Sequence, residues 1–379
     1  MKTFNSFFRI CTIILLYTPL SSLAVQIMGG VSYECYPNSD TIIGIPLNRI
    51  PVDGGVIDSV NLGNKSIIPL GTTSWKDGGF VYDAVFNPEH YYVRFTSGAL
   101  EGAWFDIRAN TSFSISLNIG QNDLSLLSKG DRFEIIPHWT LNKLFPNGGN
   151  LKKNNIPAKG TKCSIIAKYT YYDEYGNLKI PEGVNNTYQK FFYYRDFNGD
   201  VGWRERRSSD IDWGEQIIEP NAFIVLRQPE ESESFILKIA GQVSGCSSSV
   251  EVVSLSTSNQ ENYMALPSCA DTKLTELTEA FVGSGLMESS IGAVRPADAL
   301  LVYDNSSYTP NRAPSGTYFY YAGSLSEEGW YKVGTGSPSL RKADNTVIRT
   351  GSALVILKKS GSKDNFLRAK YKPFYLKEQ

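Results

Sequence analysis

The feature that most constrains the fold is an aromatic motif that occurs twice in the same order. Residues 190–194 read Lys-Phe-Phe-Tyr-Tyr, and residues 317–321 read Thr-Tyr-Phe-Tyr-Tyr. Each run is followed by a Gly-Trp pair, ending at Trp203 in the first copy and at Trp330 in the second. Self-similarity of this kind is the signature of a repeated structural unit. The chain is therefore predicted to contain two related units that arose by internal duplication.

Two further matches extend the repeat. An apolar run closes each copy, at residues 222–227 and 353–358, and the alignment pairs Ala222 with Ala353. A weaker opening match pairs residues 42–47 with residues 263–268, each with a proline near its end. Small and polar residues cluster at 241–245, which is typical of a boundary. We predict a first unit at 25–240, enlarged by an insertion at about 56–146, and a second at 243–379.

The strand pattern predicts a mainly β fold. Phe113–Asn118 alternates apolar and polar residues, and residues 91–96 and 103–108 form aromatic and β-branched runs around a glycine-containing turn,. Residues 173–177 and 197–200 are typical of hairpin tips. We expect two antiparallel sandwich-like or barrel-like units with little helix. The best helical candidate is 272–281, with Asp271 as its N-cap, and a short turn is expected at 124–128.

The N-terminus has the pattern of a secretory signal peptide. Lys2 and Arg9 precede a short apolar run, and Ser22-Leu23-Ala24 supplies the small residues that a signal peptidase recognises,. The alternative is a buried N-terminal helix, since the run is too short to span a bilayer. We expect residues 1–24 to be removed after Ala24 and the mature chain to contain no transmembrane segment. It would then act in the periplasm, at the outer surface or outside the cell.

Export has a consequence for the cysteines. Cys11 would leave with the signal, and the even number that remains suggests two disulfides in an oxidising compartment. The preferred pairing joins Cys246 with Cys269 and Cys35 with Cys163, and buried free thiols are the alternative.

Several segments together resemble an uncharacterised exported protein family of Verrucomicrobia and related bacteria. The resemblance rests on residues 39–47, on 91–98 with Glu101-Gly102, on 136–141 with 144–146, and on the paired Tyr-Tyr and Gly-Trp units. It covers nearly the whole mature chain. The resemblance implies a bacterial, exported origin and brings no assigned catalytic residues with it.

Catalytic chemistry finds little support in the sequence. His90 and His138 are the only histidines, and no G-x-S-x-G elbow is present for a serine hydrolase. Carboxylates that could serve a glycosidase lie mostly in turn-like sequence, where aspartate bonds the backbone. They are Asp173, Glu174, Asp196, Asp200 and Asp212. A weak Ca²⁺ loop at 196–200 is a minor alternative. We expect no enzyme activity, metal or cofactor.

The tryptophans admit two interpretations. Trp203 and Trp330, with Tyr194 and Tyr321, occupy repeated positions and are expected to fill equivalent cores. Trp75 and Trp213 have polar neighbours and are the candidates for exposed ligand-binding rings,.

Composition narrows the function classes. The net charge of −1 gives no electrostatic footprint for nucleic acid. The leading hypothesis is a non-catalytic structural or interaction module at the cell surface or in the periplasm, either self-associating or binding a surface protein or glycan. The first alternative is a carbohydrate-binding module that uses exposed aromatics. The second alternative is a glycosidase-type hydrolase.

Overall fold

The computed structural model describes residues 27–120, 122–153, 159–166, 171–172, 178–179, 191–195, 199–205, 211–291, 296–323, 327–334, 341–361 and 365–377. The expected signal peptide, the hairpin tip at 173–177, Asp196, and residues 197 and 198 of the tip at 197–200 lie outside these residues. The described chain is mainly β, as predicted, and almost all of its strands pair antiparallel.

The chain forms a first unit that is interrupted by a closed barrel. Before the barrel come β1 (Met28–Cys35) and β2 (Ser39–Gly44). The barrel consists of β3 (Asp53–Asn61), β4 (Ser66–Pro69), β5 (Tyr91–Phe95), β6 (Trp104–Asn110), β7 (Ile115–Asn118) and β8 (Arg132–Pro137). The first unit then continues with β9 (Trp139–Thr140), β10 (Thr161–Ile166), β11 (Tyr171–Tyr172), β12 (Leu178–Lys179), β13 (Phe191–Arg195), β14 (Val201–Glu205), β15 (Ile217–Ile218), β16 (Phe223–Gln228) and β17 (Phe235–Gln242).

The second unit follows directly. Its strands are β18 (Ser248–Ser254), β19 (Gln260–Ala265), β20 (Thr272–Lys273), β21 (Ala299–Tyr303), β22 (Gly316–Tyr321), β23 (Gly329–Lys332), β24 (Val347–Ile348), β25 (Ala353–Lys358) and β26 (Asn365–Tyr371). The helices are α1 (Leu141–Leu144), α2 (Leu274–Thr278) and α3 (Phe374–Lys377), with 3₁₀ turns at Leu124–Leu126 and Pro146–Gly148.

The two units share one topology. The five-stranded sheet of the first unit has the order β14-β13-β10-β16-β2, and that of the second has the equivalent order β23-β22-β21-β25-β19. The flanking pairs β1-β17 and β9-β15 correspond to β18-β26 and β20-β24. The repeated motif keeps its register, because Tyr193 pairs with Trp203 as Tyr320 pairs with Trp330. The equivalence is one of topology, and the duplication that would explain it remains a prediction.

The sequence alignment of the closing strand is wrong by one residue. Phe223 lies opposite Gly44 in the β16–β2 ladder, and Ala353 lies opposite Ala265 in the β25–β19 ladder. Ala353 therefore corresponds to Phe223, whereas the alignment paired it with Ala222. A slip of one residue exchanges the two faces of a strand, and two uniformly apolar runs give no alternation from which to detect it.

Both faces of the central strands are buried, which is why these strands are uniformly apolar. Ile224 and Leu226 point into the core of the first unit. Phe223 and Val225 point the other way, into a separate hydrophobic cluster that packs between the two five-stranded sheets. In the second unit, Leu354 likewise points into the unit's own core, and Ala353 and Val355 point into the shared cluster. The residues of the shared face are Ile42, Phe223, Val225, Tyr263, Ala265, Tyr303, Ala353 and Val355.

Polar contacts reinforce this junction at the outer edge of β2. Asp40 is buried and receives two 2.6 Å hydrogen bonds from Arg227 and one of 2.8 Å from the backbone N–H of Asn311. The side chain of Asn305 accepts from the N–H of Ile42 at 2.8 Å and donates to its carbonyl at 2.7 Å. The second unit thus covers an edge that would otherwise expose unpaired backbone groups.

The predicted insertion is the barrel, which begins at Asp53 and ends at Pro137 and has its own apolar interior. The helix predicted at 272–281 exists, but α2 begins at Leu274 and continues as a π-helical turn over Glu279–Gly283. Asp271 is not its cap, because its carboxylate accepts from the N–H of Thr350 instead. The N–H of Lys273 donates to Glu276. The short turn expected near residue 124 is the 3₁₀ turn at Leu124–Leu126.

Candidate functional site

Trp75 is not an exposed binding ring, contrary to the prediction. Its side chain is only 8% exposed and closes one end of the barrel, packed edge-on against Phe80 and Phe133. The indole N–H donates to Asp53 Oδ2 at 2.7 Å. The polar neighbours that suggested exposure serve other contacts, since Asp77 accepts from the N–H of Ser112.

Trp213, the second candidate for an exposed ring, is partly covered. It is half-buried against the core of the first unit, with its ring centroid 6.0 Å from that of Phe191. Its backbone N–H donates to the carbonyl of Trp203 at 2.7 Å. The acidic neighbours that suggested exposure bond elsewhere, because Asp212 caps the turn at Gly214 and Glu215 accepts from Asn142.

The repeated tryptophans lie in equivalent cores. Trp203 and Trp330 are both fully buried, each in the core of its own unit. Tyr321 packs edge-on against Tyr331, with centroids 5.9 Å apart. The backbone of Tyr194 lies in β13, and its side chain is outside the described part of the structure.

The predicted disulfides are absent: all four cysteines of the described chain have free thiols. Cys35 and Cys163 are buried in the core of the first unit, and burial raises the pKa of the Cys35 thiol to about 12. Cys246 lies 3.0 Å from the guanidinium of Arg94, and Cys269 donates to the carbonyl of Pro46 at 3.1 Å. Cys246 and Cys269 thus contact different residues.

The two histidines serve packing. His138 is buried, and its Nε2 lies 2.9 Å from Asp106 Oδ1. The ring of His90 stacks on that of Tyr82 with centroids 3.8 Å apart, and burial lowers its pKa. Among the carboxylates considered for hydrolysis, Asp173, Glu174 and Asp196 lie outside the described residues, and Asp212 caps a turn.

A groove lies where the barrel meets both units. It consists of a main cavity and an adjoining second cavity, each partly open to solvent and each with an internal volume of about 40 Å³. Trp104, Pro220, Asn221 and Pro267 line both cavities. We call this continuous space the junction groove.

The outer face of the barrel forms one wall of the junction groove. Along β5, Val93 and Phe95 point into the barrel, so Tyr92 and Arg94 point outwards,. Trp104 is the cross-strand neighbour of Arg94 on β6 and shares its face. Trp104 stands edge-on to Tyr92 at 5.8 Å, which fixes its half-buried ring,.

The remaining walls come from segments that are distant in sequence. Trp139 donates its indole N–H to the carbonyl of Leu47 at 2.9 Å, which holds its ring at the cavity. Asn221 donates to the carbonyl of Ser249 at 3.1 Å, which joins the first unit to the second. Tyr375 lines the main cavity from the C-terminal helix. The site is therefore complete only when the barrel and both units are packed together.

Among the described residues that line the junction groove, Arg94 is the one cation. It is 6% exposed, and its Nη2 donates to Ser244 Oγ and Ser247 O and lies against Cys246 Sγ. Glu219 is the one carboxylate of the main cavity. Glu251 of the second cavity is held in an ion pair with Arg368.

Sequence reasoning missed these residues. The alternation of Tyr92 and Arg94 with Val93 and Phe95 was the available signal, since it places an aromatic and a cation on the outer face of a barrel strand. Trp104, Trp139, Asn221 and Tyr375 come from four other segments, and only the fold brings them together.

Comparison of the chain with protein-family models, curated proteins and solved structures finds no match. Within the described residues, no helix is long and apolar enough to cross a membrane. The same part of the chain has no group of three or more His, Cys, Asp or Glu side chains that could hold a metal ion.

Proposed function

We propose that this protein is an exported, non-catalytic binding module and that its junction groove binds a carbohydrate. The observation that carries the proposal is the half-buried ring of Trp104, which lies between two cavities together with amide and hydroxyl groups. A flat apolar ring complements the C–H face of a sugar, and the polar groups suit its hydroxyls.

The polar lining supports recognition of hydroxyls. The amides of Asn48 and Asn221 and the hydroxyls of Ser244 and Ser248 line the main cavity. Ser244 Oγ also bonds Arg94 and the backbone of Cys246, and Asn221 donates to Ser249. These groups are neutral donors and acceptors, which suit the hydroxyls of a saccharide. Together with the rings of Trp104 and Trp139, they give a site with one stacking surface and several hydrogen-bonding partners.

Binding without turnover is proposed because, of the two carboxylates that the described residues contribute to the groove, one is held in an ion pair with an arginine. Glycoside hydrolysis generally requires two carboxyl groups that face each other across the bond. Glu219 is the only one in the main cavity, and Glu251 of the second cavity is committed to Arg368.

A glycan array with the full chain tests the binding function. We expect Trp104→Ala to weaken binding of any positive glycan about tenfold or more, because the stacking surface is removed. Phe113→Ala is the matched control, since Phe113 is 64% exposed on the same barrel and does not line the groove. Equal binding by wild type and Trp104→Ala, or no glycan binding by wild type, would refute this function.

Export has its own test. Expression of the full chain in a Gram-negative host, followed by N-terminal sequencing of the periplasmic fraction, should give a protein that begins at Val25. A chain that keeps Met1 and stays in the cytoplasm would contradict export and leave the binding test unaffected.

A further inference from the structure

We infer that the junction groove recognises an acidic saccharide and that Arg94 binds the carboxylate of its uronic acid. This inference rests on the proposed function and names the ligand class within it.

Arg94 is buried, and the described chain gives its guanidinium no hydrogen-bonded carboxylate. Its guanidinium forms no ion pair among the described residues, and its hydrogen bonds run from Nη2 to Ser244 and Ser247, with the thiol of Cys246 beside it. A buried charge is costly unless an opposite charge accompanies it. A carboxylate brought by a ligand would supply that charge.

The guanidinium of Arg94 has N–H donors besides those of Nη2, which make its hydrogen bonds within the described chain. Arginine has five N–H donors, and a carboxylate can accept two of them in parallel. Within the described chain, the hydrogen bonds of the Arg94 side chain all leave from Nη2, while Arg94 lines the main cavity. Nη2 is anchored to the segment that links the two units, so the fork is held in place before a ligand arrives.

The carboxylate of Glu134 lies near Arg94 without forming an ion pair with it. Glu134 is the cross-strand neighbour of Arg94 on β8, yet the two side chains form no ion pair. Burial raises the pKa of Glu134, and the charge of Arg94 only partly opposes this effect. Glu219 lines the same cavity.

An aromatic ring and two hydroxyl side chains lie next to Arg94 in the junction groove. Trp104 is its direct cross-strand neighbour, and Ser244 and Ser248 line the cavity beside it. A sugar ring stacked on Trp104 would therefore place a substituent within reach of the guanidinium. A uronic acid combines both features in one residue: a pyranose face and a carboxylate.

Matched ligand pairs test the inference without any mutation. Oligosaccharides of galacturonate, alginate and hyaluronan are each titrated into the full chain by calorimetry at about 0.15 M salt. Each is compared with its carboxyl-reduced form, which keeps the sugar and removes the charge. We expect the acidic member of at least one pair to bind about tenfold or more tightly. A hexaglutamate peptide is included as a non-saccharide acid.

Variants then assign the effect to Arg94. Arg94→Gln should abolish the difference between acidic and reduced ligands, while Arg108→Gln, an exposed arginine on β6, should preserve it. Thermal unfolding of both variants checks that they are folded. If Arg94→Gln does not fold, the comparison within ligand pairs still decides the charge preference.

The outcomes separate the two proposals. Equal binding of acidic and reduced saccharides would overturn the inference and leave carbohydrate binding intact. Binding of hexaglutamate with no binding of any saccharide would overturn both proposals and indicate an acidic peptide ligand. No binding by any of these ligands or by the glycan array would refute the carbohydrate function and the inference with it.

Discussion

Asn221 and Gly351 occupy the same position in the two units, and each accepts a hydrogen bond from the opposite unit. Both have positive φ, 65° and 79°, two residues before the central strand begins. The carbonyl of Asn221 accepts from the N–H of Ala265 at 2.7 Å, and that of Gly351 accepts from the N–H of Gly44 at 3.0 Å. The edge strand of each unit thus ends on the turn of the other. Because Asn221 also lines the junction groove, this reciprocal contact fixes one wall of the site.

Substitution of Gly351 should destabilise this contact. A Cβ at Gly351 would overlap the hydroxyl of Tyr33, and the positive φ adds backbone strain,. We expect Gly351→Ala to lower the free energy of unfolding by about 2–4 kcal/mol in urea titration. Gly285→Ala is the matched control, because Gly285 has φ 80° and open space around it. It should cost only about 1 kcal/mol, and equal losses would refute the role assigned to Tyr33.

Substitutions of Trp75 and Trp104 should have different effects: the first should lower mainly stability, and the second should weaken mainly glycan binding. Trp75→Phe removes the hydrogen bond to Asp53 and part of the ring that closes the barrel. We expect a loss of about 1–3 kcal/mol in unfolding free energy, with glycan binding unchanged. Trp104→Ala should weaken binding with a smaller effect on stability. Reduced glycan affinity of a folded Trp75→Phe protein would revive the interpretation of Trp75 as a binding ring.

Trp75 shows which features of the fold could be predicted from the sequence and which could not. Period-two alternation predicted the barrel strand at Phe113–Asn118, and aromatic and β-branched runs predicted the strands at 91–96 and 103–108. Trp75 lies in a long connection between β4 and β5, where sequence neighbours do not report which residues fold inward. Its polar neighbours therefore suggested exposure, whereas its ring packs among the apolar residues of the barrel interior.

The central strands show a second limit. Their apolar runs predicted strands, but the reason that both faces are apolar lies in the partner sheet. Val225 and Val355 belong to one cluster only because the two units pack face to face. The groove has the same origin, since Arg94, Trp139 and Tyr375 belong to the barrel, to the first unit and to the C-terminal end. The spacing of residues in the sequence does not indicate which distant segments pack together.

Acid should weaken the contact between the barrel and the first unit through Glu89. Burial opposes its charged form, but hydrogen bonds and charges from Arg49 and Lys143 outweigh burial, so its pKa lies below the ordinary 4.5. A lowered pKa stabilises the fold above the unfolded-state pKa, and this stabilisation is lost as the pH falls through the folded-state pKa. Urea midpoints measured from pH 7 down to about pH 3 should fall less steeply for Glu89→Gln than for wild type. Asp58→Asn, which removes an exposed pair with Lys129, is the control and should follow wild type,.

The charge of Glu219 should oppose an acidic ligand in the junction groove. Glu219 is the one carboxylate in the main cavity, where the inference places a second carboxylate on Arg94. Like charges in a partly buried site repel each other more strongly than in water. Glu219→Gln keeps the size of the side chain and removes its charge. We therefore expect calorimetry to show severalfold tighter binding of the acidic oligosaccharide, with the carboxyl-reduced form unchanged. Lys143→Gln, outside the lining, reports any general effect of altered net charge. If Glu219→Gln weakened both ligands alike, Glu219 would instead accept a hydrogen bond from a sugar hydroxyl.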